Sequence, residues 1–206
     1  MTRIFVTLLL SFCTTAWVQA ADTVAGKALY NTCVACHGAA GQGVAALNSP
    51  ALAGQEEAYL ARQLNNFKAG IRGSAAEDVT GMQMRAMATT LNDDKAVADV
   101  TAYIAGLPAA GASFDTPGAN LRNGENQYNA ACGACHGGAA QGNANLNAPR
   151  LAGLDKAYLE RQFSNFESGV RGSHPDDRLG RQMKMMTSML NNEKDLADVI
   201  AFIGIR

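Results

Sequence analysis

Apolar residues recur at helical spacing through "EEAYLARQLNNFKAG" (residues 56–70) and again through "DKAYLERQFSNFESG" (155–169). The same three- and four-residue steps run through "DKAVADVTAYIAGL" (94–107) and "KDLADVIAFIG" (194–204) and predict a helix closing each half of the chain. Shorter stretches, "TVAGKALYNTC" (23–33) and "RNGENQYNAAC" (122–132), read as helices further upstream. Asn92 and Asn191 are candidate N-caps for the two closing helices. No stretch alternates convincingly as a strand, so the pattern predicts an all-α protein.

These stretches are one unit written twice. A shift of 99 positions carries Cys33 to Cys132, Pro50 to Pro149, Tyr59 to Tyr158, Gln63 to Gln162 and Phe67 to Phe166 without a gap. It also carries "IRGS" (71–74) to "VRGS" (170–173) and "LNDDKAVADV" (91–100) to "LNNEKDLADV" (190–199). Upstream the register slips by one, so Gly26 and Tyr30 answer to Gly124 and Tyr128. Two tandem domains of roughly 85 residues each account for this better than one fold. The predicted boundaries are 21–106 and 119–206, joined by the Pro, Gly and Ala-rich linker 107–118.

The N-terminus carries a different pattern. Arg3 precedes a largely apolar run from Ile4 to Phe12, followed by the small-x-small sequence Val18-Gln19-Ala20. That is the form of a secretory signal peptide over residues 1–20, and the run is too short for a comfortable membrane span. Cys13 is a poor lipidation site because the bulky Phe12 precedes it. No later segment approaches spanning length.

Composition sharpens this picture in two ways. Aromatic residues make up only 6% of the chain, so a small domain has little large apolar volume of its own and a buried cofactor would supply it. The formal charge of -1 argues against a nucleic-acid partner. The two halves sum to -2 and +1, a mild dipole able to orient the molecule toward a partner.

Each copy contains Cys-x-x-Cys-His: "CVACHG" from Cys33 and "CGACHG" from Cys132. This is the attachment signature of c-type haem, in which two thiols add to the porphyrin vinyl groups and the adjacent imidazole reaches the iron. Two covalently bound haem c groups would consume Cys33, Cys36, Cys132 and Cys135, with His37 and His136 as axial ligands. A carbonyl must then hold the other imidazole nitrogen, and Pro50 and Pro149, each thirteen residues on, are candidates to present it. A redox dithiol or a four-cysteine zinc site are the competing readings. Zinc explains the cysteines but neither histidine, and a dithiol leaves the matched downstream methionines unexplained.

Those methionines cluster in "GMQMRAMATTL" (81–91) and "GRQMKMMTSML" (180–190). Under the 99-residue shift Met84 answers to Met183 and Met87 to Met186, whereas Met82 falls opposite Arg181. Two pairs thus remain as repeated sixth ligands; the bland alternative is flexible core packing. His174 has Ala75 as its counterpart and reads as a solvated loop residue. Arg72 and Arg171 are either partners for haem propionates or surface residues.

With these motifs the chain resembles the di-haem cytochromes c of the c4 family, over essentially all of residues 21–206. The segments "PALAGQEEAYLARQLNNFKAGIRG" and "PRLAGLDKAYLERQFSNFESGVRG" carry the likeness along with the two haem motifs. So does a methionine seven residues before the Leu that opens the last segment, which selects Met84 and Met183. The resemblance implies two class I cytochrome c domains related by a pseudo-twofold axis, His/Met ligation, and propionates approaching each other across the interface. Lys95 and Lys194 depart from the family, which often has an acid there, and would alter a docking surface.

The expected function is that of a non-enzymatic periplasmic electron carrier. It would take single electrons from a quinol–cytochrome c oxidoreductase or another donor and deliver them to an acceptor such as a terminal oxidase, with peripheral membrane association as an option. Alternatives are a di-haem subunit of a periplasmic dehydrogenase, receiving electrons from a bound flavoprotein, and a di-haem enzyme such as a thiosulfate dehydrogenase or peroxidase. The enzyme reading needs an open iron position, and methionines are available in both copies.

Overall fold

A computed structural model describes residues 20–109, 113–190 and 192–206. The first repeat comprises α1 (Thr23–Tyr30), α2 (Val34–His37), α3 (Glu57–Lys68), α4 (Val79–Ala88) and α5 (Asp94–Ala105). The second comprises α6 (Leu121–Ala131), α7 (Gly133–His136), α8 (Lys156–Glu167), α9 (Arg178–Thr187) and α10 (Glu193–Gly204). Among the described residues the only β pairing is two isolated bridges, Val44 with Ser49 and Asn143 with Ala148.

Most helices start where a side chain satisfies an orphan backbone N–H. Asp22 accepts from Val24 and Ala25, Asp78 from Gly81, Asn120 from Asn123, Asp155 from Ala157, and Asp177 from Gly180. The closing helix of the first repeat is capped by Asp93, one residue beyond the expected Asn92: Asp93 has the extended backbone and accepts from Ala96 at 2.7 Å. Asn192 does the same for α10, and Asn191 lies outside the described residues.

In each repeat the first and last helices cross at van der Waals contact, and this crossing organises the domain. A Cβ on Gly26 would sit 2.0 Å from the carbonyl oxygen of Asp99, and one on Gly124 would sit 2.0 Å from that of Asp198. Only glycine admits the approach. The same aspartates then bind the facing helix start: Asp99 accepts from the Asp22 N–H and Asp198 from the Asn120 N–H, both at 2.8 Å. Lys95 and Lys194, one turn earlier, pair with these carboxylates. Behind the crossing, Tyr30 packs with Leu60, Leu91, Val97, Val100 and Ile104; Tyr128 packs with Leu159, Val199, Ile200 and Phe202.

The two domains meet through reciprocal contacts. Arg62 Nη2 donates to the Asn147 carbonyl at 2.8 Å, and Arg161 Nη2 returns the bond to the Asn48 carbonyl at the same distance. Exchange of equivalent residues between equivalent partners is the signature of a pseudo-twofold relation. It bears out the expected arrangement.

Candidate functional site

The Cys-x-x-Cys-His segments form short turns directly beneath the buried tyrosines. Cys33 donates its backbone N–H to Tyr30 at 2.8 Å, and Cys132 to Tyr128 at 2.7 Å, so each motif continues from the preceding helix. Tyr30 and Tyr128 then donate their hydroxyls to the carbonyls of Gly38 and Gly137 at 2.7 Å. These glycines stop the turn at φ near +80°, in the left-handed region that L side chains rarely adopt. The motif is thereby tied to the core at both ends.

His37 and His136 are buried, each with Nδ1 2.9 Å from a proline carbonyl, Pro50 and Pro149 respectively. A carbonyl only accepts, so Nδ1 carries the proton and Nε2 presents a lone pair. Burial pushes both imidazoles below the ordinary histidine pKa, outweighing the proline contact, and keeps them neutral. These are the electronic requirements of an iron ligand.

No disulfide joins Cys33, Cys36, Cys132 or Cys135. Burial raises Cys33, and burial with the neighbouring Cys135 pushes Cys132 up to about 11. A redox dithiol needs the opposite, a depressed thiol pKa. The four-cysteine zinc reading also fails, because among the described residues no three His, Cys, Asp or Glu side chains gather at one point.

A cavity of about 320 Å³ is lined by Cys33, Cys36, His37, Met84 and Met87. Its counterpart in the second repeat, about 230 Å³, is lined by Cys132, Cys135, His136, Met183 and Met186. Two thiols, a neutral imidazole and a thioether therefore face one apolar cavity in each domain, the donor set that fits haem c. Met84 and Met183 are half-buried, while Met87 and Met186 are 40% and 37% exposed. His174 stands on an exposed loop near Asp176 and lines neither cavity.

Arg72 and Arg171 are not surface residues; each is 9% exposed at the domain interface. Arg72 donates to Gln63 at 2.8 Å and to Gln162 at 2.9 Å, and Arg171 donates to Gln162 at 2.7 Å and to Gln63 at 2.9 Å. Tyr158 and Tyr59 stand at 3.4 Å. Among the described residues no carboxylate forms an ion pair with either guanidinium, and Arg72 Nε is buried without a hydrogen-bond partner. Burial raises the Tyr59 pKa, but Arg171 and then Arg72 outweigh it and hold the hydroxyl below its ordinary value. Both cavities open toward this positive cluster, since Arg72 lines the first and Arg171 the second. The sequence marked Gln63, Gln162, Tyr59 and Tyr158 as repeated positions but gave them no role.

Two helical domains, each with a thiol, imidazole and thioether cavity, define a di-haem cytochrome c, and the comparisons agree. The family described as cytochrome c matches residues 23–108 and again 121–204. Cytochrome c4 of Azotobacter vinelandii is 34% identical over 98% of both chains. The crystal structure of reduced recombinant cytochrome c4 from Pseudomonas stutzeri superimposes with a TM-score of 0.72 at 31% identity, covering 90% of this chain and 98% of that one. A thiosulfate dehydrogenase electron acceptor of Thiomonas intermedia is 34% identical over 77% of this chain and 73% of its own. The chain belongs to the cytochrome c family, in its di-haem c4 branch. It is an electron-transfer protein with two covalently bound haem c groups.

Proposed function

We propose that this protein is a periplasmic carrier of single electrons in which each domain holds six-coordinate iron. Cys33 and Cys36, and Cys132 and Cys135, provide the thioether attachments. His37 with Met84, and His136 with Met183, would ligate the iron. One observation carries the reading: in each domain these donors line a single apolar cavity, with the histidine already oriented by a proline carbonyl.

The haem supplies an iron couple that takes up and releases one electron. The chain does the rest. The apolar lining excludes water and keeps the iron site of low polarity, and a thioether ligand favours the ferrous state and so a high potential. Arg72 and Arg171 offer buried positive charge to the propionates, which need such partners. The mature chain is residues 21–206, exported by the segment 1–20, of which residues 1–19 lie outside the described structure. Domain boundaries at 106 and 119 follow the repeat.

The protein is not itself an enzyme on this reading, because a half-buried methionine is available to close each iron. Donors and acceptors are redox proteins, a quinol–cytochrome c oxidoreductase and a terminal oxidase among them. No helix among the described residues is long and apolar enough to cross a membrane, and any membrane association is peripheral. Service as acceptor to a dehydrogenase is the second reading, favoured by the likeness to the Thiomonas protein.

The test is voltammetry of Met84→Ala and Met183→Ala. Each variant is expected to retain two haems and to lower one potential. Unchanged voltammograms in both would remove the methionine assignment.

A further inference from the structure

The loop that presents each proline carbonyl is gripped from the opposite domain, and the two grips are unequal. Around Pro149, Arg62 of the first domain holds Asn147, with Nη2 2.8 Å from its carbonyl and Nη1 3.3 Å from its side-chain oxygen. On the other side of Pro149, Gln55 clasps the backbone of Arg150 twice. Gln55 Nε2 donates to the Arg150 carbonyl at 2.7 Å, and the Arg150 N–H donates to Gln55 Oε1 at 3.1 Å. Gln55 is 7% exposed, so this paired bond is sheltered from water.

Around Pro50 only half of this exists. Arg161 of the second domain holds Asn48 as Arg62 holds Asn147, at 2.8 and 3.2 Å. The counterpart of Gln55 under the 99-residue shift is Leu154, a buried apolar residue in the same cluster as Ala51, the residue after Pro50. An apolar residue stands where the second domain has a two-bond clasp.

We propose that Gln55 and Arg62 are positioning residues for His136, and Arg161 for His37, so that each domain tunes the iron of the other and the second is tuned more firmly. This rests on the axial role of the histidines. The proline carbonyl accepts from Nδ1, and a firmly placed acceptor makes the imidazole a stronger donor, which stabilises the ferric state and lowers the potential. Residues flanking Pro149 are fixed on both sides, so its carbonyl has less freedom to drift from His136 than that of Pro50 has from His37. The asymmetry also gives two nearly identical domains unequal potentials without any change in ligand.

The experiment is redox titration of the full-length holoprotein, resolving its two haem waves, in wild type, Gln55→Leu, Arg62→Ala and Arg161→Ala. The proposal expects Gln55→Leu and Arg62→Ala to raise the same wave and Arg161→Ala to raise the other, with two haems retained in each. Arg62 lies at the rim, so its variant keeps the test alive if Gln55→Leu fails to fold. A general loosening of the interface would shift both waves together in every variant, and that outcome overturns the proposal. So does a set of variants in which neither wave moves. A wild-type spectrum lacking low-spin His/Met iron would instead overturn the axial reading beneath it, and it is recorded first for that reason.

Discussion

Arg72 donates a 2.9 Å hydrogen bond to Gln162 of the other domain, and it does so from a site 9% exposed to solvent. Arg171 returns the bond to Gln63, which places two guanidinium groups in one buried cluster of amides and phenols. On the proposed function, the propionates of the two haems are the anions that pair with these like charges.

Arg72→Met is therefore expected to weaken the holoprotein by about 1–3 kcal/mol, the range for losing a charged hydrogen-bond partner in a buried site. Denaturant unfolding of wild type and variant checks this. Because positive charge beside the haem disfavours ferric iron, at least one potential should fall as well.

Replacing Gly124 by Ala should destabilise by about 3 kcal/mol, since the new methyl group would sit 2.0 Å from a backbone carbonyl that cannot rotate away. Thermal unfolding measures it. Gly138→Ala is the control, as nothing lies within 4 Å of that position, and its midpoint should stay close to wild type.

Acid sensitivity should trace to Asp198. Lys194 and the Asn120 N–H outweigh burial and hold its carboxyl at about 2, below the ordinary aspartate value of about 3.9. A depressed carboxylate contributes its full stability above the unfolded pKa and loses it as pH falls through the folded one. Stability should thus decline between pH about 4 and about 2, and Asp198→Asn should flatten that limb. Urea midpoints at stepped pH decide the point; an acid limb unchanged in the variant would contradict it.

The parts legible in the sequence were those set by short spacing or by repetition. Cys33, Cys36 and His37 lie within five residues, and the bond from His37 to Pro50 spans thirteen, so local pattern sufficed. Helices α3, α5, α8 and α10 followed from periodicity and the tandem repeat from the 99-residue shift, whereas the twofold relation was implied by the family resemblance alone. The cap at Asp93 was missed by one residue because Asn92 is an equally good capping type and only backbone geometry separates them. Lys95 and Lys194 pair with Asp99 and Asp198 one turn along, an i,i+4 spacing that the sequence itself displays. Contacts between domains were not legible. Gln55 and Arg150 are 95 positions apart, and nothing in the periodicity of either segment states how two finished domains face each other.

The most direct test of the account is the visible and near-infrared spectrum of the purified protein, oxidised and reduced, with haem quantified per chain. Two haems per chain, a full-strength ferric methionine-to-iron charge-transfer band and no change on adding cyanide or carbon monoxide are the predicted result. A half-strength or missing band, or a ligand-induced shift at one haem, would contradict it by showing an iron that His37 with Met84, or His136 with Met183, does not close.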